Sequence, residues 1–323
     1  MSMTPEQAAW FADVAGRIVT NVEQVLLGKT FVIRLAVTAM LSEGHLLLED
    51  VPGTGKTSLA RALAQSVQGS TNRIQFTPDL LPGDITGISV YDQRTQEFDF
   101  HRGPVFSNIV LADEINRASP KTQSALLEAM EESAVTVDGV THRLGAPFMV
   151  IATQNPVEQA GTYRLPEAQL DRFLMKTSIG YPDHAATVRI LETASSPSVS
   201  IPLAAVVPAA TITEMAALAR TVHVDPSIAD YVARLVEGTR SASEVRLGVS
   251  VRGAMGLVRS ARVLAAVNGR HYVTPDDVKA LAVPVLAHRL VLDAEAEFDG
   301  VSTTSVVGQL LVETPPPADR AAS

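Results

Sequence analysis

The residues best suited to chemistry form a glycine-rich loop between an apolar run and a helical pattern. The loop ends Gly53-Thr54-Gly55-Lys56-Thr57 and follows three leucines that are typical of a buried strand. Glycines lack a Cβ, so backbone N–H groups can turn toward phosphate oxygens, and the next helix adds partial positive charge. Lys56 would reach the β- and γ-phosphates, and Thr57 would ligate Mg²⁺. We therefore predict that this loop and Ser58 bind the phosphates of a nucleoside triphosphate.

The loop departs from the usual phosphate-binding pattern at its start, where Asp50 stands in place of a glycine. A plain glycine-rich turn with an incidental lysine is the alternative interpretation. The strand and helix patterns on either side are the context that the motif requires, and they favour phosphate binding. We expect the effect of Asp50 to be mild, because the residue precedes the phosphate cradle.

Two neighbouring carboxylates come at the end of a second apolar strand pattern. Asp113 and Glu114 follow Ile-Val-Leu-Ala, and ligands bind at the carboxyl ends of strands in open α/β sheets. Asp113 would hold the Mg²⁺ hydration shell, and Glu114 would orient and deprotonate the attacking water. A solvated acidic turn is the alternative. Asn155 ends the next buried strand and could reach the γ-phosphate or the water, although alone it would more often be a turn residue.

Two arginines outside the loop are further candidates. Arg172 could act across a subunit boundary and stabilise charge on a neighbour's phosphoryl group, or it could form a surface salt bridge with Asp171 or Glu167. The sequence leaves these alternatives open. Arg252 begins a helix and could fold down onto the phosphates, which would couple nucleotide state to domain angle. Without further context, a solvated arginine is the default for Arg252.

The order of the predicted elements indicates the architecture. Strands alternate with helices up to residue 181, which predicts a three-layer α/β core with a parallel sheet over residues 1–181. Helical patterns then dominate and predict a smaller all-helical domain over residues 182–300. The segment 301–323 contains three consecutive prolines and is expected to be a partly disordered tail.

Composition limits the classes of function. The 323 residues include no cysteine, so disulfides, thiolate metal sites and a cysteine nucleophile are excluded. A net charge of −9 argues against a broad nucleic-acid footprint, so no nucleic-acid partner is expected. The N-terminus lacks the pattern of a signal peptide, and no apolar run is long enough for membrane insertion. We expect a cytoplasmic protein.

Four motifs together resemble the MoxR family of AAA+ ATPases. They are Val-Pro-Gly-Thr-Gly-Lys-Thr, Ile-Val-Leu-Ala-Asp-Glu-Ile-Asn-Arg-Ala, Ala-Thr-Gln-Asn-Pro and Leu-Pro-Glu-Ala-Gln-Leu-Asp-Arg-Phe. The resemblance implies a P-loop NTPase core with a helical lid. It implies that Lys56 and Thr57 belong to the Walker A motif and that Asp113 and Glu114 belong to Walker B. By the same resemblance, Asn155 is the first sensor, Arg172 the arginine finger and Arg252 the second sensor. At the second sensor the chain departs from the family pattern, since Val249-Ser250-Val251-Arg252 replaces the more usual Ala-Ser-Pro-Arg.

The same resemblance implies an ATP-hydrolysing ring, usually a hexamer, whose hairpins at 88–101 and 135–144 project toward the pore. MoxR-like proteins act as chaperone-like remodellers in the assembly, activation or metal-cofactor insertion of client proteins. They commonly work with a separate protein that carries a von Willebrand factor A domain. The alternatives are a magnesium-chelatase-like motor subunit, a nucleic-acid motor of the helicase type, and a nucleotide-gated binding module with negligible turnover.

Overall fold

The computed structural model describes residues 2–156, 163–194 and 203–317, which form two compact units. The core unit comprises Gly16–Leu165 and Thr177–Thr213, and the lid unit comprises Met1–Ala15, Pro166–Lys176 and Glu214–Ser323. The units are therefore interleaved along the chain, whereas the sequence predicted consecutive domains. Among the described residues, no helix combines the length and apolarity needed to cross a bilayer.

A five-stranded sheet in the order β2–β5–β8–β1–β9 organises the α/β part of the fold. Adjacent pairs β2–β5, β5–β8 and β1–β8 are parallel, which confirms the predicted α/β class. The strands are β1 (Leu46–Glu49), β2 (Thr71–Gln75), β3 (Gly87–Asp92), β4 (Glu97–Arg102), β5 (Ile109–Asp113), β6 (Ala134–Val137), β7 (Val140–Arg143), β8 (Met149–Gln154), β9 (Met175–Thr177), β10 (Val245–Leu247) and β11 (Val291–Leu292).

The parallel register brings the predicted functional segments to one edge of the sheet. In the paired strands, Glu49 of β1 lies opposite Gln154 of β8, and Gln75 of β2 lies opposite Asp113 of β5. The carboxyl ends of β1, β5 and β8 therefore meet, as expected for the ligand edge of an open parallel sheet. Strand β5 is buried along its whole length because it lies inside the sheet.

Helices precede, connect and follow these strands. They are α1 (Pro5–Glu23), α2 (Thr30–Leu41), α3 (Lys56–Ser66), α4 (Pro82–Thr86), α5 (Pro120–Glu132), α6 (Glu167–Leu170), α7 (His184–Ala194), α8 (Ala209–Ala219), α9 (Pro226–Ser241), α10 (Val251–Val267), α11 (Pro275–Leu286), α12 (Ala294–Phe298) and α13 (Thr303–Glu313). The predicted helical character of the lid is confirmed, and the lid also carries a small antiparallel ribbon of β10 and β11.

Two antiparallel hairpins, β3–β4 and β6–β7, project from the core unit where the sequence predicted them. Asp138 and Gly139 form the turn of the second hairpin with φ of 50° and 78°, as a two-residue hairpin turn requires. The ring of Phe100 stacks on His142 with centroids 4.0 Å apart. This contact joins the two hairpins to each other.

The segment expected to be a partly disordered tail begins with a formed helix. Helix α13 has Ser302 as its N-cap and buries Val306, Val307 and Leu310. Gly238 lets Leu310 approach closely, since a Cβ at Gly238 would lie 2.9 Å from Leu310 Cδ2. The apolar side chains of α13 therefore pack against α9, and the expectation of a partly disordered tail stays a prediction for the residues after this helix. Residues 318–323 lie outside the described part of the chain.

Candidate functional site

The glycine-rich loop has the backbone that phosphate binding needs. Gly53 and Gly55 have φ of 85° and 97°, a left-handed region that favours glycine, and Gly55 is the N-cap of α3. Lys56 is buried and its Nζ donates to the Asp50 carbonyl at 3.2 Å, whereas Thr57 is exposed. The helix N-terminus and the lysine therefore converge at one place, where an anion would be stabilised.

Asp50 has a structural role that the sequence did not reveal. Its side chain is buried, and its carboxylate accepts hydrogen bonds from the backbone N–H groups of Ile179 and Gly180, the latter at 3.1 Å. The backbone N–H of Asp50 also donates to the Gln154 carbonyl at 3.0 Å. A glycine at this position would leave the N–H groups at 179 and 180 without their acceptor. Asp50 therefore ties the start of the loop to the segment after β9.

Asp113 and Glu114, which we call the acidic pair, are fixed by a threonine on the adjacent strand. The Thr153 hydroxyl donates to Asp113 Oδ1 at 2.6 Å and accepts from the Glu114 backbone N–H at 2.9 Å. Glu114 has a φ of 57°, an unfavourable conformation for a residue with a Cβ that persists only when its surroundings impose it. Sequence reasoning missed Thr153, although a polar residue inside a fully buried strand was a signal.

Each carboxylate of the acidic pair also contacts a cationic side chain. Arg73 lies 2.6 Å from Asp113 Oδ2, and Arg117 lies 2.9 Å from Glu114 Oε2. Gln75 donates to the same Glu114 oxygen at 2.9 Å. Sequence reasoning also missed these three partners. Two of them, Arg73 and Gln75, come from β2, which is distant from the acidic pair in sequence but adjacent to β5 in the sheet. These contacts hold the acidic pair in place, so a water molecule or a cation that binds the pair must compete with them.

Asn155 directly follows β8 in the core unit, and it is buried. Because β8 lies between β5 and β1, this places Asn155 at the same sheet edge as the acidic pair and the glycine-rich loop. The structure thus brings together the candidates that the sequence drew from three separate motifs. Thr57 and Asp113 provide hydroxyl and carboxylate oxygens, which fit Mg²⁺ that is also bound by substrate phosphates.

Arg172 belongs to the lid unit and follows the short helix α6. Helix α6 ends at Leu170, and Asp171 is its C-cap. Arg289, from a buried 3₁₀ turn after α11, holds the turn that follows α6: its Nε donates to Asp171 Oδ1 at 2.7 Å, and one terminal nitrogen donates to the Phe173 carbonyl at 2.6 Å. The backbone on both sides of Arg172 is therefore anchored.

Burial lowers the pKa values of the two residues that hold this turn. Arg289 is almost fully buried, and burial lowers the pKa of its guanidinium despite the favourable hydrogen bond that it donates to Asp171. Burial and the neighbouring Arg289 charge lower the pKa of His288 well below 6.5. His288 Nε2 lies 3.1 Å from the Phe173 carbonyl oxygen. A neutral His288 therefore supports the turn at neutral pH.

Arg252 is exposed in the first turn of α10, whose N-cap Ser250 accepts from the Gly253 N–H at 3.2 Å. Arg172 and Arg252 both line a lid-unit cavity of about 640 Å³. The sequence treated these arginines as separate candidates, and the structure brings them together in one unit. The loop, the acidic pair and Asn155 are all in the other unit.

Comparison with known proteins agrees with this geometry. Residues 45–175 match the model of the ATPase family associated with various cellular activities (AAA), and residues 237–310 match the AAA lid domain. The chain is 41% identical over 305 residues to Chaperone MoxR1 of Mycobacterium tuberculosis, covering 91% of this chain and 80% of that protein. This chain belongs to the MoxR family of AAA+ ATPases.

Two other proteins are similar to this MoxR-family chain over nearly its whole length. It is 48% identical over 310 residues to the uncharacterized protein YeaC of Bacillus subtilis, covering 95% of this chain and 96% of that one. The crystal structure of a proposed ATPase from Cytophaga hutchinsonii has a TM-score of 0.91 at 38% identity, covering 97% of this chain and 98% of that one. The fold is thus an AAA+ core with a helical lid, and the enzyme is an ATPase.

Proposed function

We propose that this MoxR-family ATPase hydrolyses Mg²⁺-bound ATP in a cytoplasmic ring of identical subunits, a hexamer, and uses the cycle to remodel client proteins. One observation carries the proposal. The phosphate loop and the acidic pair share one unit, whereas Arg172 and Arg252 line a cavity of the other. Such a division suits a site completed by a neighbouring subunit, because a head-to-tail interface closes into a ring.

The residues of the core unit would perform the hydrolysis. Glu114 accepts a proton from water as the water oxygen forms a bond to the γ-phosphorus, and the bond from that phosphorus to the β–γ bridging oxygen breaks to release ADP. Lys56 neutralises charge on the β- and γ-phosphates, and Asn155 orients the water. Thr57 and Asp113 would hold Mg²⁺, which supplies further charge stabilisation. The backbone N–H groups from Gly53 to Ser58 would donate hydrogen bonds to the phosphate oxygens.

Arg172 would stabilise the charge that develops on the neighbour's transferring phosphoryl group, and Arg252 would act beside it. An arginine that acts in this way must be held firmly, since misplacement by about 1 Å can cost about a hundredfold in rate. The contacts of Arg289 with the turn on both sides of Arg172 meet this requirement. Nucleotide turnover would then depend on contact between subunits.

The remodelling role is supported by the family and by a relative named as a chaperone. We propose a protein client and a separate partner with a von Willebrand factor A domain. The exposed side chains of Tyr91 and Phe98 on the β3–β4 hairpin suit contact with a client polypeptide, since both are large and apolar. The Glu114→Gln variant should bind ATP without hydrolysing it. Capture of bound proteins with this variant in the presence of ATP tests for both the client and the separate partner protein.

Mixing two inactive variants tests the shared site. Lys56→Ala lacks a working phosphate loop and Arg172→Ala lacks the arginine, so each alone should show little ATP turnover. In mixed rings, an Arg172→Ala subunit receives the arginine of a Lys56→Ala neighbour, and about a quarter of the sites should recover. Specific activity of the wild type should also rise with protein concentration. A mixture that stays inactive would mean that Arg172 acts within its own chain, or not at all.

A further inference from the structure

The arginine cavity of the lid unit contains more positive charge than the proposed ATPase mechanism uses. The cavity has a volume of about 640 Å³, and its described lining includes six arginines: Arg172, Arg220, Arg252, Arg259, Arg262 and Arg289. Asp171 is the acidic side chain in that described lining, and it is hydrogen-bonded to Arg289. This concentration of charge stands against a net charge of −9 for the chain.

The excess charge follows one face of α10. Arg252, Arg259 and Arg262 are spaced by seven and three residues, which places them on the same side of the helix. At about 1.5 Å per residue, the row extends about 15 Å from the first turn of the helix toward its C-terminal half. Arg259 and Arg262 therefore lie about two and about three helical turns further along α10 than Arg252.

Like charges lie close enough to influence one another at this site. The positive charges of Arg252 and Arg259 both contribute to lowering the pKa of Arg289, after the larger effect of burial. Arg262 Nε is buried and has no hydrogen-bond acceptor among the described residues. Positive charges held close together are stabilised by an anion with several charges, so the cavity is electrostatically prepared for one.

The shape of the cavity favours a small ligand. Apolar side chains of α9 and α10, including Val232, Ala233 and Met255, form part of its wall. A concave, partly apolar site of several hundred Å³ with a few converging polar groups is typical of small-molecule sites. Guanidinium groups match phosphate oxygens in pairs, which makes arginine the preferred partner of phosphate chains.

We propose that Arg220, Arg259 and Arg262 form a second anion site, which binds a linear polyphosphate chain separately from the phosphate loop. The polyphosphate could be inorganic or part of a free nucleotide. The proposal does not rest on the proposed ring mechanism, because all of the lining residues belong to one unit. Its ligand would contact the same cavity as Arg172, so occupancy should change ATP turnover.

Calorimetric titration with inorganic tripolyphosphate tests the site. The Lys56→Ala variant disables the phosphate loop, and we expect it to retain one binding event per subunit. Adding Arg259→Ala and Arg262→Ala should weaken that event by about tenfold for each lost charge-assisted contact. Arg246→Ala is the matched control, since Arg246 is an exposed arginine of the lid unit outside the described lining, and it should leave binding unchanged.

Three further measurements complete the test. Inorganic phosphate should bind much more weakly than tripolyphosphate, because it cannot span the row. Tripolyphosphate binding should persist on dilution to separated subunits, and binding found only in assembled rings would overturn the proposal. If the alanine variants lose their fold, Arg259→Lys and Arg262→Lys should weaken binding severalfold, since lysine cannot pair with two phosphate oxygens at once. Absence of binding to Lys56→Ala, or equal affinity in the arginine variants, would overturn the proposal.

Discussion

Replacing Arg289 with lysine should reduce ATP turnover much more than ATP binding. Arg289 donates to the Asp171 carboxylate and to the backbone carbonyls of Asp171, Phe173, Leu174 and Val285. Lysine has three donors on one atom, so at least two of the five acceptors lose their partner. At about 1 kcal/mol for each lost buried hydrogen bond, Arg289→Lys should lower the free energy of unfolding by about 2–3 kcal/mol.

The catalytic consequence follows from the position of Arg172 within the anchored turn. A displacement of about 1 Å would reduce kcat by about a hundredfold. The KM for ATP should change little, because the phosphate loop belongs to the other unit. The assay is steady-state ATP turnover at a protein concentration that saturates assembly, combined with chemical denaturation and fluorescent-nucleotide binding.

Arg270→Lys provides the matched control. Arg270 also pairs with a buried aspartate of the lid unit, with one terminal nitrogen 2.7 Å from Asp277 Oδ2, but it lies outside the turn that carries Arg172. We expect a comparable loss of stability from Arg270→Lys with nearly normal kcat. If Arg289→Lys retains wild-type kcat, or loses no more of it than the control, Arg289 does not position Arg172.

Three other substitutions test separate parts of the structure. Asp50→Gly restores the usual glycine but removes the acceptor of two backbone N–H groups, so denaturation should show a loss of about 2 kcal/mol without tighter ATP binding. Thr153→Val removes the hydroxyl that bridges the acidic pair, and kcat should fall at least about tenfold with ATP affinity retained. His288→Gln should flatten the dependence of stability on acid pH. The pKa of His288 is lowered in the folded state, so below about pH 6.5 only the unfolded chain takes up a proton at this residue. The stability of the wild type therefore falls by up to about 1.4 kcal/mol for each pH unit of acidification.

Each of these predictions has a result that contradicts it. Unchanged stability of Asp50→Gly would mean that other groups or water satisfy the freed N–H donors. A Thr153→Val enzyme with normal kcat would show that the strand alone fixes the acidic pair. Equal acid dependence of wild type and His288→Gln would show that other groups dominate below pH 6.5.

The glycine-rich loop and the acidic pair were recognisable in the sequence because their signals are local. A strand, a loop and a helix N-terminus follow one another within about twenty residues, and Asp113 ends a continuous apolar run. The hairpin β6–β7 has the same local character, since Asp138 and Gly139 form a two-residue turn between its two strands. Local geometry and residue type are sufficient for such features, so the fold class and the candidate phosphate site followed from them.

Other features depend on contacts between distant parts of the chain, and only the tertiary structure decided them. Asp171 and Arg289 are separated by 118 residues, Asp50 and Gly180 by 130, and Arg73 and Asp113 by 40. The interleaving of the two units has the same origin, since residues 166–176 pack with the lid through these long-range bonds. Sequence patterns report which face of an element is buried but not which partner covers it. Packing therefore chose the partners that hold the site in place.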